Sequence, residues 1–281
     1  MSIPLPDVNA DHRCEVEGRW WQEVGAAPSG RPDLGQPPGV APTASLPAVI
    51  LANGHGLIPL WPSLVQHTSH PLAVTIFTSA GNGNGSATEP QPACPDGWQI
   101  RTADVPHVRL LNELLESAHD DQVILLSADL VLTPGWLKRL LAALDRDPRI
   151  AIVGPTINHG SVSQQVKADY KGICKALRQF ALRRSHRYAR QLADASTISP
   201  YCLVFNTAVC RQIGPLRDDL DLSDALKDYC ARATQGGYRA AVALDVYVHR
   251  EVTTSDERIR LQESATVKTD EAARCGRGRI R

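Results

Sequence analysis

Polar residues follow three apolar stretches of this sequence, and each stretch has the pattern of a buried strand. Asn53 follows LPAVILA, a loop at residues 78–84 that begins with Thr78 follows LAVTIF, and Ser127 and Asp129 follow QVILL. Short apolar runs that end in glycine, asparagine or serine are typical of strands buried on both faces. Ligands of parallel α/β sheets bind beyond the carboxyl ends of the strands. The sequence therefore predicts a ligand site formed by these three segments.

The elements that position these segments alternate between strand and helix. Amphipathic helices are predicted in LIPLWPSLVQHT, HVRLLNELLESAH and TPGWLKRLLAALDRDP, and further strands in WQIRTAD and in RIAIVGP, which ends at its Gly-Pro. We expect QVILLSADLVL to be one strand, and the helix after it to have Thr133 as its N-cap and Pro134 at its first position. This alternation predicts an α/β fold with a mainly parallel twisted sheet and helices on both faces.

The C-terminal half contains a basic segment and a late acidic helix. Residues 158–196 have a helical, arginine-rich centre, which is either a solvated face or an acceptor- or phosphate-binding surface. ISPYCLVFNTAVCRQIG predicts a strand and a short helix, SDALKDYCARATQGG a helix ending at two glycines, and YRAAVALDVYVHRE a strand pair. Asp224 and Asp228 lie one turn apart on one helix face. They are either a source of a catalytic base or ordinary acids favoured by the helix dipole.

Composition excludes several classes of protein. Lys+Arg and Asp+Glu number 30 each, so the chain lacks the basic excess typical of nucleic-acid or membrane-surface binding. The seven cysteines form no CxxC pair, which favours reduced thiols in a cytoplasmic protein. The N-terminus has no signal-peptide pattern, and no apolar run reaches the roughly 18 residues of a transmembrane helix.

Three regions are predicted along the chain. Residues 1–45 are rich in proline and glycine and are predicted to be a mostly disordered extension, in which Trp20-Trp21 is either a docking contact or a partner anchor. Residues 46–255 form the folded domain, and residues 256–281 a polar tail. The run GNGNG is not followed by a helix, and the first strand has no glycine fingerprint. Both observations argue against a Rossmann-type oxidoreductase.

The stretch VILLSADLVLTPGWLKRLLAALDRDPRIAIVGP resembles the central module of family 2 glycosyltransferases. The segments PSLVQHT, ISPYCLVFNTAVCRQIG, DYCARATQGGYR and ALDVYVHRE resemble further parts of that family in the right order, so the resemblance covers roughly residues 46–251. The resemblance implies a GT-A fold. It also implies inverting transfer of a sugar from a nucleoside diphosphate sugar to a hydroxyl acceptor, which is a saccharide, a peptide or a natural product.

The resemblance assigns roles to particular residues. Asp129 is expected to hold Mg²⁺ or Mn²⁺, which would stabilise the departing diphosphate as a Lewis acid, with His249 as a further metal ligand or diphosphate contact. Asp228 or Asp224 would be the base that deprotonates the acceptor. The nucleotide-sugar side would be lined by Asn53, Thr78, Asn112 and Ser127. The alternatives are a surface aspartate at 129 and a strand-end histidine without a ligand at 249.

The sequence departs from the family pattern where the family usually has acids. Thr78 and Ser79 replace the acid after the second strand, Ser127 replaces the first acid of the metal motif, and Ala225-Leu226-Lys227 replace acids of the late helix. A hydroxyl can hydrogen-bond a base edge but carries no negative charge. A second hypothesis is therefore a catalytically weak or inactive glycosyltransferase-like protein that binds a partner.

Overall fold

The computed structural model describes residues 45–52, 59–78, 99–103, 106–118, 122–170 and 175–251. Within these ranges nine strands form one hydrogen-bonded sheet. The strands are β1 (Leu46–Ala52), β2 (Leu72–Thr78), β3 (Gln99–Ala103), β4 (Gln122–Ser127), β5 (Leu130–Val131), β6 (Ile150–Ile157), β7 (Leu192–Ala195), β8 (Cys202–Asn206) and β9 (Arg239–Arg250). The extension, Trp20-Trp21, Asn53, Ser79, the GNGNG run and the C-terminal tail lie outside the described residues.

The sheet has the order β3-β2-β1-β4-β8-β6-β9-β5, and β7 also pairs with β9. Strands β1 to β4 are parallel to one another. Strand β8 is antiparallel to both β4 and β6, so β6 runs in the direction of β4, and β9 is parallel to β6. Six of the nine described strands therefore point the same way, which confirms the predicted mainly parallel α/β sheet.

Helices cover both faces of the sheet, and the alternating side chains of the strands divide the core between them. The helices are α1 (Leu60–His67), α2 (His107–Ser117), α3 (Trp136–Arg146), α4 (Lys175–Arg187), α5 (Thr207–Ile213) and α6 (Leu222–Gln235). Ile124 and Leu126 of β4 pack with α1 and α3, whereas Val123 and Leu125 pack with α2, α5 and α6. Helix α4 packs on β9 near Tyr247 in a third, smaller cluster.

The predicted N-cap of the helix after Asp129 is wrong. Helix α3 begins at Trp136, and its N-cap is Gly135, which has φ 75°. The Thr133 hydroxyl instead donates to the Tyr247 carbonyl at 2.5 Å, across to β9. A tertiary hydrogen bond to the sheet has therefore replaced the local cap, and the helix starts two residues later than the sequence pattern indicates.

Three strand predictions also need correction. QVILLSADLVL is interrupted by a turn at Ala128 and Asp129, after which β5 leaves β4 and pairs with β9. The predicted final strand pair is the single twelve-residue strand β9. Strand β6 continues past its Gly-Pro to Ile157, and β7 adds a strand within the basic segment. The turn at Asp129 matters most for the candidate site. It ends β4 at the predicted ligand edge and leads the chain into β5, which pairs with β9.

Candidate functional site

The carboxyl ends of β1, β2 and β4 lie at one edge of the sheet. Ala52 of β1 is paired with Thr78 of β2, and Leu51 is paired with Ser127 of β4. Asn53 and residues 79–84 follow these ends but lie outside the described residues. The strand ends that precede all three predicted segments therefore meet at the edge where α/β sheets bind ligands.

The turn after β4 is tied to its surroundings through backbone hydrogen bonds. The Ser127 amide donates to the Tyr201 carbonyl at 2.7 Å, and the Ala128 amide donates to the Leu51 carbonyl at 3.0 Å. Ser127 itself is buried. These bonds fix the position at which the next residue, Asp129, leaves the sheet.

Asp129 forms a buried ion pair with Arg250, the last residue of β9. The Arg250 Nε lies 2.6 Å from the Asp129 Oδ2, and each residue is 8% exposed. The other carboxylate oxygen, Oδ1, is buried and has no hydrogen-bond partner among the described residues. Buried carboxylate oxygens without a partner are uncommon because they lose their hydration without compensation. One oxygen of Asp129 is thus engaged by the protein, and the other is suited to a ligand.

Arg250 is held by contacts with three further residues. Its guanidinium carbon lies 4.0 Å from the centroid of the Tyr201 ring, within the range of a cation–π interaction. Its backbone amide donates to the Asn158 Oδ1 at 2.7 Å, and its carbonyl accepts from the Asn158 Nδ2 at 2.8 Å. It also pairs with Leu130 of β5. The guanidinium therefore occupies a fixed place at the ligand edge.

Glu251 adds a second carboxyl group beside Asp129. Its backbone amide donates to the Asp129 carbonyl at 2.8 Å. Burial raises the pKa of the Glu251 carboxyl, and the negative charge of Asp129 raises that pKa further. Four residues beside Asp129 were not predicted from the sequence: Arg250, Glu251, Tyr201 and Asn158. The available signal was the Arg-Glu pair after His249, but nothing local identifies its partner in the other half of the chain.

His249 belongs to a hydroxyl network on β9. Its Nδ1 lies 2.6 Å from the Tyr170 hydroxyl, which lies 2.8 Å from the Tyr247 hydroxyl. Burial lowers the pKa of His249 to about 4, with a smaller contribution from the charge of His159. His249 is therefore a neutral imidazole near pH 7, the form in which histidine can bind a metal ion.

Among the described residues, one carboxylate oxygen of Asp129 is suited to bind a divalent cation. Within the described ranges, no group of three His, Cys, Asp or Glu side chains could hold a metal ion. Asp129 is hydrogen-bonded to Arg250, whereas His249 is hydrogen-bonded to Tyr170. The Asp129 Oδ1 is nevertheless the hard anionic oxygen that Mg²⁺ and Mn²⁺ prefer. Such a cation would take most of its remaining ligands from substrate phosphates and water.

The two acids proposed as the base differ in their surroundings. The Asp228 Oδ2 lies 2.7 Å from the Arg232 Nε, and Arg232 also donates to the carbonyls of Ile213 and Pro215. Asp228 is thus part of the packing of α6 on the segment after α5. The Asp224 side chain is 51% exposed and pairs with the Lys227 Nζ at 2.7 Å.

Asn112 uses its whole amide group within the protein. Its Nδ2 donates to the Leu216 carbonyl at 2.8 Å, and its Oδ1 accepts from the Leu216 amide at 2.9 Å. The side chain therefore links α2 to the segment after α5. A role for Asn112 on the nucleotide side stays a prediction, and the structure gives its hydrogen-bonding groups a different use.

The basic segment is only partly a solvated face. Arg178, Arg183 and Arg187 of α4 are exposed, as is Arg190 in the following turn. Arg184 is half-buried, donates to the Leu244 carbonyl of β9 at 3.3 Å, and lies 4.7 Å from the centroid of the Tyr188 ring. One arginine of the segment therefore fastens α4 to the sheet, and the others face solvent.

Comparison with known sequences identifies the family of this α/β domain. The profile described as Glycosyltransferase like family 2 matches residues 86–269, which is more than half of the chain. The chain belongs to this family. No curated protein sequence matches it. The family profile spans the turn at Asp129, the Asp129–Arg250 pair and α6.

Solved structures of other glycosyltransferases resemble this family 2 chain. GalNAc-T7, crystallised with UDP, GalNAc and Mn²⁺, gives a TM-score of 0.53 at 9% identity, covering 75% of this chain and 45% of GalNAc-T7. The mannosyltransferase PcManGT from Pyrobaculum calidifontis, in complex with GDP-Man and Mn²⁺, gives 0.47 at 16% identity, covering 87% and 67%. Residues 1–349 of S. aureus TarS give 0.43 at 13% identity, covering 72% and 60%. The likeness to GalNAc-T7 confirms the GT-A fold, and the chain spans less than half of that protein.

Among the described residues, no helix is both long enough and apolar enough to cross a membrane.

Proposed function

We propose that this family 2 member transfers a sugar, with inversion, from a nucleoside diphosphate sugar to a hydroxyl acceptor. The observation that carries the proposal is Asp129 at the ligand edge of the sheet, with one buried carboxylate oxygen lacking a protein partner. Family membership supplies the reaction class. The ends of β1 and β2, with Asn53 and Thr78, would face the nucleotide, and Ser127 would lie between the nucleotide and the diphosphate.

Asp129 is the proposed ligand for Mg²⁺ or Mn²⁺, through its Oδ1. When bound, such a cation would stabilise the negative charge that develops on the departing diphosphate. Arg250 holds the other oxygen of the carboxylate and thereby orients Oδ1. His249, at the same end of β9, is proposed to assist at the metal and diphosphate, and its hydrogen bond to Tyr170 orients its ring.

Asp224 is the better supported of the two proposed bases. Helix α6 leads through a short turn into the start of β9, so its first turn lies towards the carboxyl edge of the sheet. Asp224 is in that first turn and is exposed. Asp228 lies one turn further from the edge and is held by Arg232. A base must reach the acceptor hydroxyl, and the exposed acid nearer the edge meets this requirement more readily.

The acceptor side is proposed to include the exposed arginines around α4. They would suit a saccharide, a peptide or a natural product that carries negative charge.

Donor hydrolysis tests the proposed function. A panel of UDP- and GDP-sugars is incubated with the protein and Mn²⁺, and release of UDP or GDP is measured. We expect turnover with at least one donor, and a loss of about 100-fold or more in Asp129→Asn, because charge stabilisation at the leaving group is usually a large part of catalysis. Asp145→Asn, an exposed acid on α3, is the control and should match the wild type. Full activity in Asp129→Asn would contradict the proposed site.

A second candidate is a protein that binds a nucleotide sugar or a partner without turnover. The ion pairs of Asp228 with Arg232 and of Asp224 with Lys227 favour it, because each proposed base is engaged by a cation. Binding of a nucleotide sugar without release of UDP or GDP under any metal condition would support this candidate over the enzyme.

A further inference from the structure

We propose that Arg250 binds the donor diphosphate directly and supplies a permanent positive charge at the site. This proposal rests on the proposed function, because it assigns a ligand to the same edge of the sheet. The proposed function assigns the phosphate oxygens to a metal ion. Here the Arg250 guanidinium is a second partner of those oxygens.

The position of Arg250 is the first argument. It is the last residue of β9 and pairs with Leu130, which directly follows Asp129. Its ring partner, Tyr201, accepts a hydrogen bond from the Ser127 amide at the end of β4. The ends of β4 and β9 and the Tyr201 ring therefore converge on this guanidinium, at the edge where the phosphates of a nucleotide would lie.

The charge balance is the second argument. Asp129 is a buried anion, and a diphosphate placed beside it would be repelled. Arg250 contacts Asp129, so the pair carries no net charge, and Glu251 adds one further carboxyl group beside it. Ser127 and Ala128 stand directly before Asp129 and add no negative charge. The local charge therefore suits an anionic ligand better than a cluster of acids would.

The way in which Arg250 is held is the third argument. The bond from its Nε to Asp129 and the contact with the Tyr201 ring fix the plane of the guanidinium, while Asn158 fixes its backbone. A planar, pre-oriented guanidinium loses little freedom when it binds phosphate, and its fork matches two phosphate oxygens. A lysine at this position would keep the charge but not the fork.

The test is calorimetric measurement of the affinity for UDP, GDP and inorganic pyrophosphate, with Mg²⁺ or with EDTA. In Arg250→Met we expect each diphosphate to bind roughly 10-fold to 100-fold more weakly under both conditions, because one charge-assisted hydrogen bond is lost. Uridine and guanosine, which lack phosphate, should bind as they do to the wild type. Arg250→Lys should recover part of the loss. Arg149→Met, which removes an exposed arginine paired with Asp147, is the matched control and should change nothing.

Two further variants keep the test valid if Arg250→Met is unstable. Asp129→Asn retains Arg250 and removes the anion, so it should bind UDP or GDP in EDTA at least as tightly as the wild type. The double variant Asp129→Asn with Arg250→Met removes both charges and should again bind diphosphates weakly. Wild-type affinity in the double variant would overturn the proposal. Loss of EDTA-resistant binding in Asp129→Asn would also overturn it.

The outcomes separate this inference from the proposed function. Arg250-dependent binding of UDP or pyrophosphate without any sugar transfer would leave the inference standing and refute the enzyme. Sugar transfer by a protein whose diphosphate affinity does not depend on Arg250 would refute the inference alone. If the wild type binds none of the three diphosphates, both fail.

Discussion

The Nε of Arg250 lies 2.6 Å from the Oδ2 of Asp129 and joins two residues 121 positions apart in the chain. This bond connects the turn after β4 with the end of β9 at the ligand edge of the sheet. It engages Oδ2 and leaves Oδ1 without a hydrogen-bond partner among the described residues, and it places a buried cation beside the carboxylate.

Removing one partner of the Asp129–Arg250 pair should destabilise the fold more than removing both. Arg250→Met leaves a buried carboxylate without its counter-ion, which typically costs about 3–5 kcal/mol of unfolding free energy. The double variant Asp129→Asn with Arg250→Met removes that charge and should recover much of the loss. Urea denaturation of the single and double variants measures both values. Equal stability of Arg250→Met and the wild type would show that the pair is not formed in solution.

Variants of Asp224 and Asp228 should show which of the two acids has a catalytic role and which has a structural one. Asp224→Asn is expected to lower the rate of transfer by roughly 100-fold or more with little change in stability, as loss of a general base does. Asp228→Asn should lower the unfolding free energy by about 1 kcal/mol and leave turnover near the wild-type value, because it breaks the bond to Arg232. Steady-state kinetics and thermal denaturation of both variants decide the assignment. The reverse pattern would make Asp228 the base.

Asn112→Ala should lower the stability of the fold and leave the affinity for the nucleotide unchanged. The variant leaves both the amide and the carbonyl of Leu216 without their partner, so we expect a loss of about 1–3 kcal/mol in unfolding free energy. The affinity for UDP or GDP should stay within twofold of the wild type when measured well below the melting temperature. A several-fold weaker affinity at unchanged stability would instead support the nucleotide-side role that the sequence predicts.

His107 should make stability depend on pH. It is the first residue of α2, its ring centroid lies 4.0 Å from that of Phe77, and burial lowers its pKa below 6.5. Between its folded pKa and 6.5, the unfolded state binds more protons, so stability rises with pH in that window and falls as the pH drops through 6.5. Urea denaturation at pH 7.5 and pH 5.5 should show this loss, which should shrink in His107→Gln. An NMR titration that gives His107 a pKa at or above 6.5 would refute the prediction.

The elements that local periodicity specifies were predictable from the sequence. The apolar runs of β1, β2 and β4 and the amphipathic patterns of α2 and α6 predict both the type and the order of the elements. Thr133 shows where local rules fail. An N-cap hydroxyl would accept a hydrogen bond from an amide of the first helical turn, whereas the Thr133 hydroxyl donates to the carbonyl of Tyr247 on β9 and lies outside the helix. The turn at Asp129 also has no local signal, since apolar residues continue on both sides of it.

The site was predictable only in part. Asp129 could be found because it follows a buried strand within a recognisable module. Arg250 could not, because an arginine after a strand histidine has no local pattern that identifies its partner. Its importance comes from the sheet order, which brings the end of β9 beside β5, and sheet order is a tertiary property.

The long sequence separation within the Asp129–Arg250 pair also determines when the site can exist. Strand β9 pairs with β5, β6 and β7, so the ion pair requires the end of β9 to have been placed beside β5. A chain that emerges from the ribosome carries Asp129 well before Arg250 is available. Closing so large a loop is entropically costly and is typical of late folding steps. We therefore expect the Asp129–Arg250 pair to form late in folding, and a chain that ends before Arg250 would lack the pair and the end of β9.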